Sequence, residues 1–140
     1  MNDKRQMFRK AIDSQVAFMR EASEGRGIDR HMLGLRCMVK DPEEAAVFQD
    51  PAYTKSCTYR LSSSNMSPGI NFYGGFGPVV PNGYGINYAI DKDAMKFSIS
   101  CKDSCKEVSA YAFRSTLERS LKDMMELFPL RYSCHFIWKV

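Results

Sequence analysis

Apolar residues recur with a helical period near the start of the chain. Phe8, Ile12, Val16 and Met19 step by four, four and three, while Arg9, Lys10, Asp13 and Arg20 fall off that stripe. The pattern predicts an amphipathic helix over residues 5–24, with Gly25 as its C-terminal cap. A second helix is expected to open at Gly27 to Asp29, with Asp29 as N-cap. Met32, Leu33, Leu35 and Met38 are its apolar positions, and Pro42 marks its limit. A short helix over 43–49 is expected to end near Pro51.

Beyond Pro51 the period changes. Residues 56–64, SCTYRLSSS, are rich in hydroxyl, β-branched and aromatic side chains and suit a strand with a polar end. Residues 65–71 read as a loop. Phe76 to Val80 reads as a short strand that Pro81-Asn82-Gly83 turns. Tyr84 to Ile90 then alternates, with Ile86, Tyr88 and Ile90 on one face. After the Asp91-Lys92-Asp93 turn, Met95, Phe97, Ile99 and Cys101 alternate in the same way. The two runs predict a β-hairpin.

Ser104-Cys105-Lys106-Glu107 has capping-box spacing, so a long helix is expected after it. Its stripe is Phe113, Leu117, Leu121, Met124 and Phe128, and Pro129 closes it. The tail, LRYSCHFIWKV, is apolar and strand-like and would be an aggregation liability unless it packs on the hairpin. Helices, then strands, then one helix, without sustained β-α-β alternation, give an α+β fold with the last helix packed on a mixed sheet.

Composition narrows the class. The 140 residues are 44% hydrophobic and 26% charged, near the globular average. Twenty basic against sixteen acidic residues leave +4, which is too weak without a clustered patch to argue for nucleic acid. No apolar run approaches the ~20 residues of a spanning helix, and the first residues, MNDKRQMFRK, carry no apolar core of a secretory signal. Cys37, Cys57, Cys101, Cys105 and Cys134 are odd in number, which points to a reducing compartment. Their scatter, with His31 and His135 in unrelated segments, gives no expectation of a metal site.

Two local features carry candidate chemistry. Arg30 lies in Ile28-Asp29-Arg30-His31, and its planar guanidinium can hold a carboxylate bidentately. The plainer reading is a surface salt bridge to Asp29 or Glu24. In Ser62-Ser63-Ser64, the first and third hydroxyls share one strand face and can bind an anion or oxyanion. The plainer reading is a polar strand end facing water. The cluster Gly74-Gly75-Phe76-Gly77 is not a phosphate-cradle motif, and no nucleophile elbow, Walker loop or H-E-x-x-H is present.

Taken together, these segments resemble the carnitine and choline acyltransferases. The matching stretches are MREASEGRGIDRHMLGLR at 19–36, DPAYTKSCTYRLSSSNMSP at 50–68, GGFGPVVPNGYGINY at 74–88 and FSISCKDSC at 97–105. They run in register over roughly residues 8 to 128. Within the family, the chain looks most like the palmitoyl-transferring type 2 branch of the mitochondrial matrix side. The resemblance implies part of a chloramphenicol-acetyltransferase-like domain, with residues 1–140 as its C-terminal part and 129–140 as an atypical tail.

The family moves acyl groups between coenzyme A and the carnitine hydroxyl, so carnitine and long-chain acyl-coenzyme A are the implied substrates. No permanently bound cofactor, metal or nucleic acid is implied. The implied partner is the rest of a longer enzyme, with peripheral membrane association of that enzyme.

By the same resemblance, Ser64 would donate to the oxyanion and Ser62 would help set carnitine. Arg30 would bind the carnitine carboxylate, where the choline branch carries asparagine. Phe76 would lie against the trimethylammonium, with Val79 beside the channel. Asn65 stands where short-chain relatives often carry glutamine near coenzyme A. Gly74, with Gly75, would leave open an acyl tunnel that the acetyl branch blocks with methionine at Gly74's position. The family's catalytic histidine matches neither His31 nor His135. The chain alone is therefore expected to be inactive, with a non-catalytic acyl-carnitine or protein-binding module as the alternative.

Overall fold

The helices come first and the sheet follows. The computed structural model describes residues 2–41, 43, 45–66, 71, 74–128 and 134–140. It divides into two compact units, Met1–Cys57 and Thr58–Val140.

The first unit is helical. α1 spans Asn2–Ser23, and a left-handed Gly25 (φ 78°) stops it. The Gly25 amide bonds back to the Ala22 carbonyl and the Arg26 amide to that of Glu21, the paired bonds of a Schellman cap. α2 spans Ile28–Met38, and its N-cap is Gly27. Asp29 lies inside the first turn instead, where a carboxylate complements the helix dipole without capping. The limit expected at Pro42 lies outside the described residues. In place of the helix expected over 43–49, the described residues show a 3-10 turn at Ala46–Phe48.

Of the strand expected over 56–64 only 61–64 is strand; Ser56 ends a helix and 57–60 are turn and irregular backbone. α3 spans Pro51–Ser56, because Asp50 accepts from the Ala52 amide and Pro51 occupies the first helical turn, where a missing N–H costs nothing.

Among its described residues the second unit is a four-stranded sheet with one helix. β1 spans Leu61–Ser64, β2 Tyr84–Ile90, β3 Ala94–Ser100 and β4 His135–Lys139, in the order β1-β2-β3-β4. β2 and β3 form the expected antiparallel hairpin, with Ile86 opposite Ile99 and Tyr88 opposite Phe97. β1 joins β2 in parallel and β4 joins β3 in parallel, so residues 135–139 of the apolar tail pack on the hairpin. Phe76 to Val80 is not a strand but irregular backbone.

α4 spans Ala110–Glu126 and starts later than its capping-box motif suggests. Residues 102–108 are spent in turns, with the Cys105 amide bonded to Lys102 and the Val108 amide to Cys105. Ser109 is the cap and accepts from the Ala112 amide. The closing Pro129 lies outside the described residues.

One face of the sheet is apolar. Ile86, Phe97 and Ile99 are buried there with Ala110, and Phe113, Leu117 and Leu121 of α4 pack against them. Phe97 stacks on Trp138 with ring centroids 4.9 Å apart, and the Arg114 guanidinium lies 5.6 Å from the Trp138 ring. Tyr84 packs on Phe113, and its hydroxyl accepts from the Ser109 amide, tying the head of β2 to the start of α4. Burying a side chain such as Phe97 contributes roughly 1.5–3 kcal/mol, so this small cluster supplies much of the unit's stability.

Candidate functional site

Strand alternation sorts the sheet into two faces. The register places Ser62 beside Gly85 and Ser64 beside Asn87. It also sets Asn87 opposite Ser98 and Gly85 opposite Ser100. These residues line the face away from α4, which is therefore rich in hydroxyl and amide groups.

Burial in β1 runs against hydropathy. Leu61 and Ser63 are exposed, while Ser62 and Ser64 are half-buried. A strand end that merely faced water would show the opposite pattern. The two hydroxyls instead turn toward the polar face, where a desolvated donor is worth more than in water.

The glycine-rich segment 74–77 docks on this face. The Ser100 hydroxyl donates to the Phe76 carbonyl at 2.6 Å, and the Asn87 amide donates to the Gly74 carbonyl at 2.9 Å. The approach is close enough to require glycine at 85 and to crowd a side chain at 75. A Cβ on Gly75 would lie 3.0 Å from the Ser98 hydroxyl, and one on Gly85 would run into the Phe76 carbonyl.

Asn87 is almost fully buried, at 2% exposure. Its side-chain oxygen accepts from the Met66 amide at 3.1 Å, two residues beyond Ser64. One side chain thus bridges the end of the serine strand and the start of the glycine loop. Lys96, on the same face two residues before Ser98, is also buried, at 3% exposure.

The fold therefore brings Ser62, Ser64, Gly74, Gly75 and Phe76 to one face of one unit. Phe76 is half-buried there, whereas Val79, further along the same loop, is 63% exposed. Arg30 belongs to the other unit, in the first turn of α2. Its Nε and Nη2 converge on one Asp29 oxygen at 2.8 and 2.5 Å, the surface pair that local spacing suggests. His31 is exposed in α2, and His135 is exposed at the start of β4. Among the described residues no three His, Cys, Asp or Glu side chains converge as metal ligands, and no helix is long and apolar enough to cross a membrane.

Sequence reasoning missed Asn87, Ser98, Ser100 and Gly85. Their alternation marked them as the outward face of a hairpin, and nothing local indicated that a loop covers it. The available signal was the company of four glycines at 74, 75, 77 and 85, which allows backbone to lie against backbone.

Comparison with known proteins bears on what this arrangement is for. Residues 1–119 match the family model described as choline/carnitine O-acyltransferase. The chain is 36% identical over 128 residues to choline O-acetyltransferase of Mus musculus, with 90% of this chain and 20% of that protein covered. It is 37% identical over 133 residues to the Homo sapiens choline O-acetyltransferase, covering 92% and 18%. Against carnitine O-acetyltransferase of Rattus norvegicus it is 35% identical over 127 residues, covering 87% and 20%. The chain thus spans about a fifth of the length of these relatives.

Proposed function

Because the chain belongs to the choline/carnitine O-acyltransferase family, we propose that it carries the oxyanion-donating and carnitine-binding residues of a carnitine O-acyltransferase. The enzyme would pass medium- to long-chain acyl groups between coenzyme A and carnitine. The observation that carries this reading is the polar face: the half-buried pair Ser62 and Ser64 shares it with the docked loop that bears Gly74 and Phe76.

The chemistry is an exchange of esters. A base takes the proton of the carnitine hydroxyl, and that oxygen attacks the thioester carbonyl. The carbonyl oxygen gains negative charge in the tetrahedral intermediate. Collapse breaks the C–S bond, and the proton passes to the departing thiolate. In this reading Ser64 donates to the oxyanion from a fixed strand, which needs no reorganisation as the charge develops. The base is a histidine other than His31 and His135, as the resemblance implies.

Ser62 helps set carnitine. Phe76 offers a ring to its quaternary ammonium, and Val79 lines the approach. Arg30 pairs with its carboxylate and favours carnitine over choline. That pairing is the role of a forked guanidinium, which Asp29 engages here with one oxygen. The relatives named above are acetyltransferases. The preference for longer chains rests on Gly74, which brings no side chain into the acyl path. Action at the matrix side of the mitochondrial inner membrane belongs to the same reading.

The test uses the full polypeptide that carries this sequence. Ser64→Ala is expected to lower kcat for palmitoyl transfer to carnitine by about 10²–10³-fold, the usual loss for one oxyanion donor, with carnitine KM nearly unchanged. An unchanged kcat overturns the assignment. Preference for acetyl-coenzyme A or for choline in the unaltered enzyme overturns the finer part and leaves acyl transfer standing.

A further inference from the structure

The acyl-chain path and the oxyanion donor come from separate stretches of sequence, the loop at 74 and the strand at 64. Catalysis on a long acyl group needs both to address the same thioester, so something must fix their separation. The side chain of Asn87 hydrogen-bonds to both stretches. It takes the Met66 amide on its oxygen at 3.1 Å and gives its nitrogen to the Gly74 carbonyl at 2.9 Å. Its Cα is in register with Ser64 itself.

An asparagine suits this task better than its neighbours in size. Its amide is a donor and an acceptor on one rigid plane. Aspartate in its charged form keeps the acceptor and loses the donor. Serine has one hydroxyl on a shorter stem and cannot span both partners. At 2% exposure Asn87 has no water to replace either bond, so losing one leaves a buried backbone group unpaired and the segment shifts to satisfy it.

We propose that Asn87 is the positioning residue that locks the serine strand to the glycine loop, and so couples acyl-chain preference at Gly74 to oxyanion donation at Ser64. This rests on the acyltransferase reading above. This role requires no contact of Asn87 with either substrate. Asn87 acts through the Met66 amide on one side and the Gly74 carbonyl on the other.

The experiment compares Asn87→Asp and Asn87→Ser with Gly74→Met in the full polypeptide that carries this sequence. The readout is the ratio of kcat/KM for palmitoyl- and acetyl-coenzyme A. That ratio is indifferent to the fraction of folded enzyme, so a merely structural role does not move it. Both Asn87 variants are expected to lower the ratio at least about tenfold, since the loop loses its fixed height over the sheet.

Hydrogen exchange supplies a readout independent of turnover. The Met66 amide should exchange at least about tenfold faster in Asn87→Ser than in the unaltered protein, and stay slow in Asn87→Asp, which keeps the acceptor. An unchanged ratio in both Asn87 variants beside a shifted ratio in Gly74→Met overturns the coupling alone. Unchanged ratios in all three overturn the acyl-path reading and the coupling with it. Equal Met66 exchange in all proteins overturns the strand half of the lock.

Discussion

α1 and α4 both carry an apolar stripe at helical spacing, yet the stripes meet different surroundings. In α4, Phe113, Leu117 and Leu121 pack against the buried Ile86, Phe97 and Ile99 of the sheet. In α1, Ile12, Val16 and Met19 are 47%, 53% and 59% exposed. The contrast extends to the units. Every residue classed as buried among those described lies in Thr58–Val140, and none lies in Met1–Cys57.

A helix satisfies its own backbone, so its period shows which face seeks a partner and says nothing of whether one is present. A strand must find its partner to exist at all, and its pattern therefore reports on tertiary structure. The candidate residues follow this division. The serines and glycines are placed by long-range pairing, whereas Arg30 is placed by its helix and by its neighbour Asp29.

The largest test of this contrast is Phe97→Ala. Phe97 is 6% exposed and stacks on Trp138, so its removal leaves a cavity that the sheet cannot close. A loss of about 3–5 kcal/mol is expected for such a change, read by urea denaturation. A loss below about 1 kcal/mol would mean that the sheet is not the centre of stability.

Gly85→Ala should come next. A methyl there meets the Phe76 carbonyl and the Ser100 hydroxyl, and the backbone on one side cannot yield cheaply. Overpacking of this kind costs about 1–3 kcal/mol. Because the strain falls on the docked loop, exchange of the 74–77 amides should rise more than exchange in α4. Uniform acceleration across both would show that the loop is not a separate layer over the sheet.

How much of this was legible in the sequence depends on the range of the forces involved. The β2–β3 hairpin was legible because Tyr84–Ile90 and Ala94–Ser100 alternate around a polar turn. α4's stripe was legible for the same local reason. Its start was not. Ser104 with Glu107 makes the stronger capping motif, yet the chain caps at Ser109, whose amide is held by the Tyr84 hydroxyl from 25 residues away.

α3 was missed although Asp50-Pro51 is a local helix start, because the hydroxyl-rich residues after it read as strand. In the candidate site, the serine and glycine motifs were legible as residues and their meeting was not. It depends on Asn87 and Ser100, two polar strand positions that become informative only once a loop is seen to cover them.

A smaller effect on stability, with a separate effect on function, is expected for Arg30→Asn. The Arg30–Asp29 pair is exposed, with side chains 74% and 48% accessible. Exposed pairs contribute about 0–1 kcal/mol, so the denaturation midpoint should hardly move. In the full polypeptide the carnitine KM should rise about tenfold or more, the scale of one charge-assisted hydrogen bond. A shifted midpoint with unchanged carnitine KM would make Arg30 a structural residue of α2 and remove it from the site.

The smallest effect should come from Val16→Ala in α1. Val16 is 53% exposed, so truncating it gives up little buried surface. Alanine is also the better helix former, because a β-branched side chain loses rotamer freedom against the preceding turn. The two terms oppose each other, and the net change should lie within about 0.5 kcal/mol in either direction, as at other open surface positions. Leu117→Ala, the matching position in α4, is the control and should cost about 2 kcal/mol or more, since its side chain packs on the buried sheet cluster. If Val16→Ala cost as much as Leu117→Ala, the α1 stripe would be covered in solution, and the contrast between the two helices would collapse into one rule.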